Sequence, residues 1–232
     1  MTDIGTRYRA VLASVEEAAC GAGRAGAVTL VAVSKGHPTA ALLEAFEAGA
    51  RDFGENRVEE LVRKRGELVD LLGARAGEVR WHLIGQLQSR KIKPLEHVQL
   101  VHSVDRESQL VAFARRGGPR QDILLEVNIG EEPQKGGVEV GALEALCALA
   151  LAEPAVRLRG LMTIPPDRDD DAATLADFRR MAALFAAMKG GAGEDFDSLS
   201  MGMSGDYRLA IEAGATLVRV GTAIFGQRGA MG

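Results

Sequence analysis

The sequence is poor in several things at once. It has two cysteines, one tryptophan, two tyrosines and only 4% aromatic residues. Cys20 and Cys147 lie far apart and neither sits in a Cys-x-x-Cys pair, so neither a disulfide framework nor a cysteine-rich zinc site is indicated. Cys147, within Ala-Leu-Cys-Ala-Leu-Ala, reads as a small core residue. The four histidines lack metal-ligand spacing, and no metal is expected. No apolar run is long enough to span a bilayer, and residues 1–8 lack the apolar stretch of a secretory leader, so a cytoplasmic protein without a membrane partner is expected. Positive charge is not in excess: 28 basic against 32 acidic residues leave −4, which argues against nucleic acid as a partner. Asp167-Arg-Asp-Asp-Asp171 lacks the glycine and distant glutamate of a calcium loop and reads as solvated. Arg90-Lys91 with Lys93 is a small basic spot.

What is present centres on Val28-Thr-Leu-Val-Ala-Val-Ser-Lys35. Its apolar, β-branched residues make a buried strand, and Gly36-His37-Pro38 stops it. The strand thus delivers one amine to the rim of a sheet. Partial desolvation favours the neutral, nucleophilic amine that a Schiff base with an aldehyde requires. A solvated lysine at a strand end is the plainer alternative.

The rest of the chain alternates. A helix over 3–20 precedes a glycine-rich connection, 21–26, which matches GxGxxG but precedes the first strand instead of following one. Strands are expected at 28–35, 51–53, 79–84, 98–102, 122–128, 156–162, 198–201 and 216–220. Helices are expected at 39–48, 58–72, 89–95, 106–116, 140–152, 172–188, 206–213 and from 221. Leu175, Phe178, Met181, Phe185 and Met188 share one helical face, a core-filling pattern. Eight strand–helix units after one extra N-terminal helix predict a (β/α)8 TIM barrel occupying 1–232 as a single domain. An open doubly wound sheet is the alternative, kept alive by the short, polar second strand.

In such a barrel the C-terminal strand ends share one face, and that face carries chemistry. Here they bring up Lys35, Asn56, His102-Ser103, Asn128, Met162, the Ser200-Met-Gly-Met-Ser204 loop and Arg219 to Thr222. Ser200 to Ser204 and Gly221-Thr222 each run into a helix, where free N–H groups, small residues and hydroxyls make an anion cradle. Ser204 as a simple N-cap and Gly221 as a simple turn residue explain the same pattern. Arg219 points inward with Leu217 if Val218 and Val220 face the helices. His82 and His102 are acid–base candidates or packing histidines.

Val31-Ala-Val-Ser-Lys35, Phe53-Gly-Glu-Asn56, Trp81-His-Leu-Ile-Gly-Gln-Leu-Gln88, His102-Ser-Val-Asp105, Arg159-Gly-Leu-Met162, Ser200-Met-Gly-Met-Ser204 and Val218-Arg-Val-Gly-Thr-Ala-Ile-Phe-Gly226 together resemble the pyridoxal 5′-phosphate homeostasis proteins. These are single-domain relatives of the alanine racemase N-terminal barrel. The match runs from about 28 to 226. The resemblance implies pyridoxal 5′-phosphate held as a Schiff base on Lys35, with phosphate contacts from Ser200, Met201, Gly202, Ser204, Gly221 and Thr222. It implies Arg219 at the pyridine nitrogen, and Asn56 and His82 near the cofactor. Two segments depart from the family pattern. Gly36-His37-Pro38 stands where Thr-Lys-Pro is usual, and Gln88-Ser-Arg90-Lys91 stands for Gln-x-Asn-Lys.

The resemblance implies a carrier that stores and delivers the cofactor, expected as a monomer in transient contact with cofactor-requiring apo-enzymes. An amino acid (alanine) racemase-like enzyme is the alternative. Racemisation needs bases on both cofactor faces, and the only tyrosines are Tyr8 and Tyr207. A third reading is a sugar-phosphate barrel with Lys35 as an aldolase-type amine, which predicts no bound chromophore.

Overall fold

Eight short strands in this computed structural model, which describes residues 3–227, pair in sequence order and close on themselves. Residues 1–2 and 228–232 of the expected 1–232 domain lie outside the described residues. The strands are β1 (Thr29–Val33), β2 (Asp52–Glu55), β3 (Arg80–Leu83), β4 (Leu100–Val104), β5 (Gln121–Glu126), β6 (Val156–Met162), β7 (Ser198–Ser200) and β8 (Leu217–Val220). All neighbours are parallel, and β8 meets β1 from Thr29–Leu217 to Ala32–Val220. Closure rules out the open sheet and gives the (β/α)8 TIM barrel.

The helices are α1 (Ile4–Gly21), α2 (Thr39–Glu47), α3 (Val58–Leu72), α4 (Glu107–Arg116), α5 (Leu143–Ala152), α6 (Asp171–Ala192), α7 (Tyr207–Glu212) and α8 (Thr222–Phe225). α1 is the extra N-terminal helix. Asp3 caps it by accepting from the Thr6 N–H at 2.8 Å. Tyr8, Val11, Val15 and Ala19 form its buried stripe, and the Arg7 Nε–H donates to the Ile224 carbonyl at 2.6 Å.

Several boundaries differ from expectation for local reasons. No α-helix follows β3: two single 3-10 turns, Ser89–Lys91 and Lys93–Leu95, replace the expected helix at 89–95. Proline at 94 supplies no N–H for a continuing helix. β2 runs on through Gly54 and Glu55, where a strand ending at 53 was expected. β4 starts and ends two residues later than expected. α6 passes through Gly190 and Gly191 and stops only at Gly193, whose φ is 86°.

Strand alternation divides the core in two. Leu30, Ala32, Phe53, Trp81, Leu83, Val101, Leu125, Leu199, Val218 and Val220 face outward into one continuous layer beneath the helices. Cys147, Phe178 and Met181 join that layer, with Phe185 and Met188 partly buried at its edge. Val31, Leu100, Leu124, Met162 and Leu217 form a separate cluster inside the barrel. Arg219 therefore points into the lumen, as the alternation of β8 predicts.

Gly160 explains one feature of the Arg159-Gly-Leu-Met162 segment. Its φ is 148°, and a Cβ there would stand 1.8 Å from the Ser198 carbonyl oxygen on β7. Only glycine lets these strands approach so closely. Gly160→Ala is expected to destabilise the fold by about 2–4 kcal/mol through strain and strand separation. Chemical denaturation of the variant measures this, and an unchanged midpoint contradicts it.

Candidate functional site

The end of β1 is held from behind by a buried charged cluster. Ser34 and Glu55 point outward, towards α3, where Lys64 is fully buried. The Lys64 ammonium donates to the Ser34 carbonyl at 2.7 Å and to Glu55 Oε1 at 2.6 Å, and pairs with Glu60 at 2.8 Å. The Ser34 hydroxyl donates to Glu55 Oε1 at 2.7 Å. Glu60 Oε1 accepts the Gly36 N–H at 2.7 Å. The backbone is thus pinned immediately before and after Lys35. Burial pushes the Glu55 carboxyl up, against the opposing pull of Lys64 and Ser34. Gly36 turns the chain with φ of 74°, and the His37 ring packs on Phe225 of α8, with centroids 5.3 Å apart.

Asn56 follows β2 and is half-buried, with its Oδ1 buried and lacking a hydrogen-bond partner among the described residues. Its backbone is tightly seated, since a Cβ on Gly85 would stand 2.3 Å from the Asn56 carbonyl oxygen. The turns after β7 and β8 touch each other: the Gly221 N–H donates to the Ser204 hydroxyl at 3.3 Å. Gly221 also lies against β1, where an added Cβ would sit 3.1 Å from the Val33 carbonyl oxygen. Lys35, Asn56, Ser204, Gly221 and exposed Thr222 are therefore brought to one face of the barrel. Gly202 is buried with φ of 93°, and its carbonyl accepts the Arg219 N–H at 2.9 Å. The Asp206 carboxylate accepts the Met203 N–H at 2.5 Å, taking one donor of this loop.

Three expected contact residues sit elsewhere. The Met201 side chain is fully buried in the outer layer, so only its backbone reaches the loop. The Ser200 hydroxyl lies inside the lumen, 2.6 Å from Arg219 Nη1 and 2.9 Å from His102 Nδ1. His82 is buried deeper, 3.0 Å from His102 and 3.1 Å from Asp52 at the start of β2. Alternation carries these side chains inward, below the rim. Asn128 braces its own loop, bonding Glu132 through both ends of its amide.

The lumen is strongly polarised. Arg219 is buried, and burial lowers its guanidinium to about 10, with Glu126 and Asp206 opposing. It remains a cation at neutral pH. Its Nη2 also donates to the Thr163 carbonyl at 3.0 Å. Burial holds His102 well below the usual histidine range, helped by His82 and Arg219. Glu126, last residue of β5 and inward by register, is raised to about 7 by burial and by Asp105, against Arg219 and Arg106.

Comparison with known proteins fits this frame. Residues 13–229 match the family described as alanine racemase, N-terminal domain. The chain is 44% identical to the pyridoxal phosphate homeostasis protein of Pseudomonas aeruginosa, over 98% of this chain and 97% of that one. This chain belongs to the pyridoxal phosphate homeostasis protein family. PipY of Synechococcus elongatus, solved with PLP bound, superposes with a TM-score of 0.79 at 36% identity, covering 97% of this chain and 100% of PipY. Alanine racemase from Corynebacterium glutamicum shares the fold at 18% identity and a TM-score of 0.67, and the match covers 95% of this chain but 59% of the racemase.

Sequence reasoning missed Lys64, Glu55, Glu60, Asp52 and Glu126. The spacing of Glu60 and Lys64, one helical turn apart on α3, was the available signal. Lys64→Met leaves Glu55 buried without its counter-charge and is expected to cost about 3–5 kcal/mol of stability, read by urea denaturation. Glu126 yields a pH-dependent expectation. Its folded value, about 7, lies above the ordinary 4.5. Its stabilising contribution is complete below the unfolded value and is lost as pH rises through 7. Glu126→Gln should therefore match the native melting temperature at pH 4 and exceed the native stability by about 3 kcal/mol at pH 8. Equal melting curves at both pH values contradict it.

Proposed function

We propose that this chain binds pyridoxal 5′-phosphate at the C-terminal mouth of its barrel, as a Schiff base on Lys35. It stores and delivers the cofactor, and so maintains its intracellular supply. Support comes from one juxtaposition: an amine on a pinned turn, a buried polar atom without a partner at Asn56, and a buried cation at Arg219, all at one end of the barrel. The relatives named above carry the same reading. The residues present fit the group. Asn56 Oδ1 needs a donor, and Gly202 and Gly221 seat the turns after β7 and β8 closely against Ala210 and Val33, leaving their backbone at the mouth.

When bound, the cofactor supplies an aldehyde that a lysine amine captures reversibly with loss of water. The chain's own residues do the rest. Lys35 contributes the amine, on a backbone fixed by Glu60 and Lys64. Ser204, Gly221 and Thr222 offer a hydroxyl and N–H cradle for the phosphate. Arg219 presents N–H donors to the pyridine nitrogen and disfavours its protonation. Among the earlier candidates, Ser200 and His82 serve from within the lumen, and Met201 through its backbone.

On this reading residues 1–232 form one cofactor-binding barrel, working in the cytoplasm as a monomer in transient contact with apo-enzymes that take up the cofactor. No helix among the described residues is long and apolar enough to cross a membrane. The racemase alternative finds no second base in the tyrosines. Tyr8 is buried on α1, and the Tyr207 hydroxyl lies 2.6 Å from Ser14 on the same outer helix.

The test is direct. Purified protein should carry a visible chromophore that borohydride fixes to Lys35. Lys35→Ala should lose that colour while melting within about 1 kcal/mol of the native protein, because a half-buried rim side chain adds little to the core. Retained colour in the variant overturns the assignment.

A further inference from the structure

Five side chains stand in file inside the barrel: Asp52, His82, His102, Ser200 and Arg219. They come from five strands, and every consecutive pair is within hydrogen-bond distance. Donor and acceptor chemistry gives the file a direction. Asp52 ionises at about 2, because Arg80 and His82 outweigh the effect of burial, so its carboxylate only accepts. His82 Nε2, 3.1 Å from it, must therefore carry a hydrogen. Arg219 can only donate, so the Ser200 hydroxyl hydrogen finds its acceptor in the file at His102 Nδ1, 2.9 Å away. Burial keeps His102 neutral, so its hydrogen sits on Nε2 and is donated to His82 Nδ1 at 3.0 Å. The Ser200 oxygen in turn accepts the Arg219 Nη1–H at 2.6 Å.

Each link of the file then has one donor and one acceptor, and its hydrogens point from the mouth towards the opposite end. The reverse arrangement is one hydrogen bond poorer. With the hydrogen on His102 Nδ1, the Ser200 oxygen would face two donors, and its own hydrogen would have no acceptor in the file. The two ends of the file set its direction, since Arg219 only donates and the Asp52 carboxylate only accepts. Arg80 and Tyr8 lie beside Asp52, while Glu126 and Asp206 act on Arg219. A chain so oriented polarises each successive bond.

The geometry points to Asp52, His82, His102 and Ser200 as a buried one-way hydrogen-bond relay that fixes how Arg219 presents its guanidinium at the mouth. Asp52, at the far end of the lumen, is thereby a positioning residue for the cofactor site. The cofactor arm of this inference rests on the function proposed above; the relay itself does not.

The two parts are tested separately. In cofactor-free protein labelled with 15N-histidine, His102 should be neutral with its hydrogen on Nε2, and His82 Nδ1 should be the nitrogen that accepts it. A His102 imidazolium, or a hydrogen on His102 Nδ1, overturns the relay. Asp52→Asn should shift the His102 nitrogen resonances although the two residues do not touch. In loaded protein it should weaken pyridoxal phosphate retention about threefold to thirtyfold. Arg80→Gln removes the other partner of Asp52 and should leave the histidine tautomers as they are. A folded Asp52→Asn protein with unchanged His102 resonances and unchanged retention overturns the inference. Should Asp52→Asn not fold, Ser200→Ala breaks the file at its other end. It must then move the His102 Nδ1 resonance and lower retention, or the inference falls. If native protein retains no pyridoxal phosphate, the proposed function fails while the tautomer measurement still decides the relay.

Discussion

A closed eight-stranded barrel has to fill its own lumen with side chains. Here the filling comes in two unlike halves. Val31, Leu100, Leu124, Met162 and Leu217 supply an apolar plug. Beside it run Asp52, His82, His102, Ser200 and Arg219, all buried. Polar groups in such a place lower stability relative to apolar packing unless each finds its partner. Each does, at 2.6–3.1 Å. The polar half is therefore not what holds the barrel together. It converts the lumen into a support for one cation, which a lumen of valine and leucine could not do.

The outer face of the same sheet carries a second buried polar system, and strand alternation keeps the two apart. Val31 and Val33 face inward, while Ser34 and Glu55 face α3. Lys64 meets Ser34 and Glu55 there and pairs with Glu60, whose carboxylate holds the Gly36 N–H. These contacts grip the main chain on either side of Lys35 and do not use the Lys35 side chain. A backbone fixed in this way sets where the Lys35 side chain leaves the strand end. The lumen system does the corresponding thing for Arg219, fixing one edge of the guanidinium through Ser200 and Thr163. Two elements of the site are thus preorganised from opposite sides of one sheet.

Much of this was legible in the chain. Strand-to-helix alternation gave the barrel, the β-branched run to Lys35 gave the amine, and the inward parity of Arg219 followed from period two. The losses have physical causes. Pro94 breaks what helical spacing suggested at 89–95. Gly54 and Glu55 continue a strand that glycine was expected to end, because the lumen needs a position without a side chain: a Cβ on Gly54 would come 3.1 Å from Val31 Cγ1. Ser200 and Met201 were both assigned to a loop, yet strand parity turns one into the lumen and the other into the outer core. The lumen relay was illegible because its members come from five strands, separated by up to 98 residues between hydrogen-bonded partners. Periodicity places each side chain inside but does not say which ones meet. Lys64 was hidden by its type: on a charged amphipathic helix a lysine reads as solvated, and only the tertiary positions of Glu55 and Ser34 bury it.

On the function proposed above, the barrel has to hold its cargo and also let it go, and the charges at this mouth bear on both. Arg219 is a permanent cation at neutral pH, which favours an anionic ligand. Two carboxyl groups oppose it. Glu126 is raised to about 7, so near neutrality it is part protonated, and bringing an anion closer draws a proton onto it. Asp206 is raised as well, first by burial, and its carboxylate already takes the Met203 N–H in the loop that would cradle a phosphate. Ionised Glu126 repels a bound dianion and its protonation relieves that repulsion, so by linkage this group strengthens retention as pH falls through 7 and weakens it as pH rises. A Glu126 carboxyl poised to gain or lose a proton there leaves the grip adjustable, which suits the proposed storage and hand-over better than permanent occupancy.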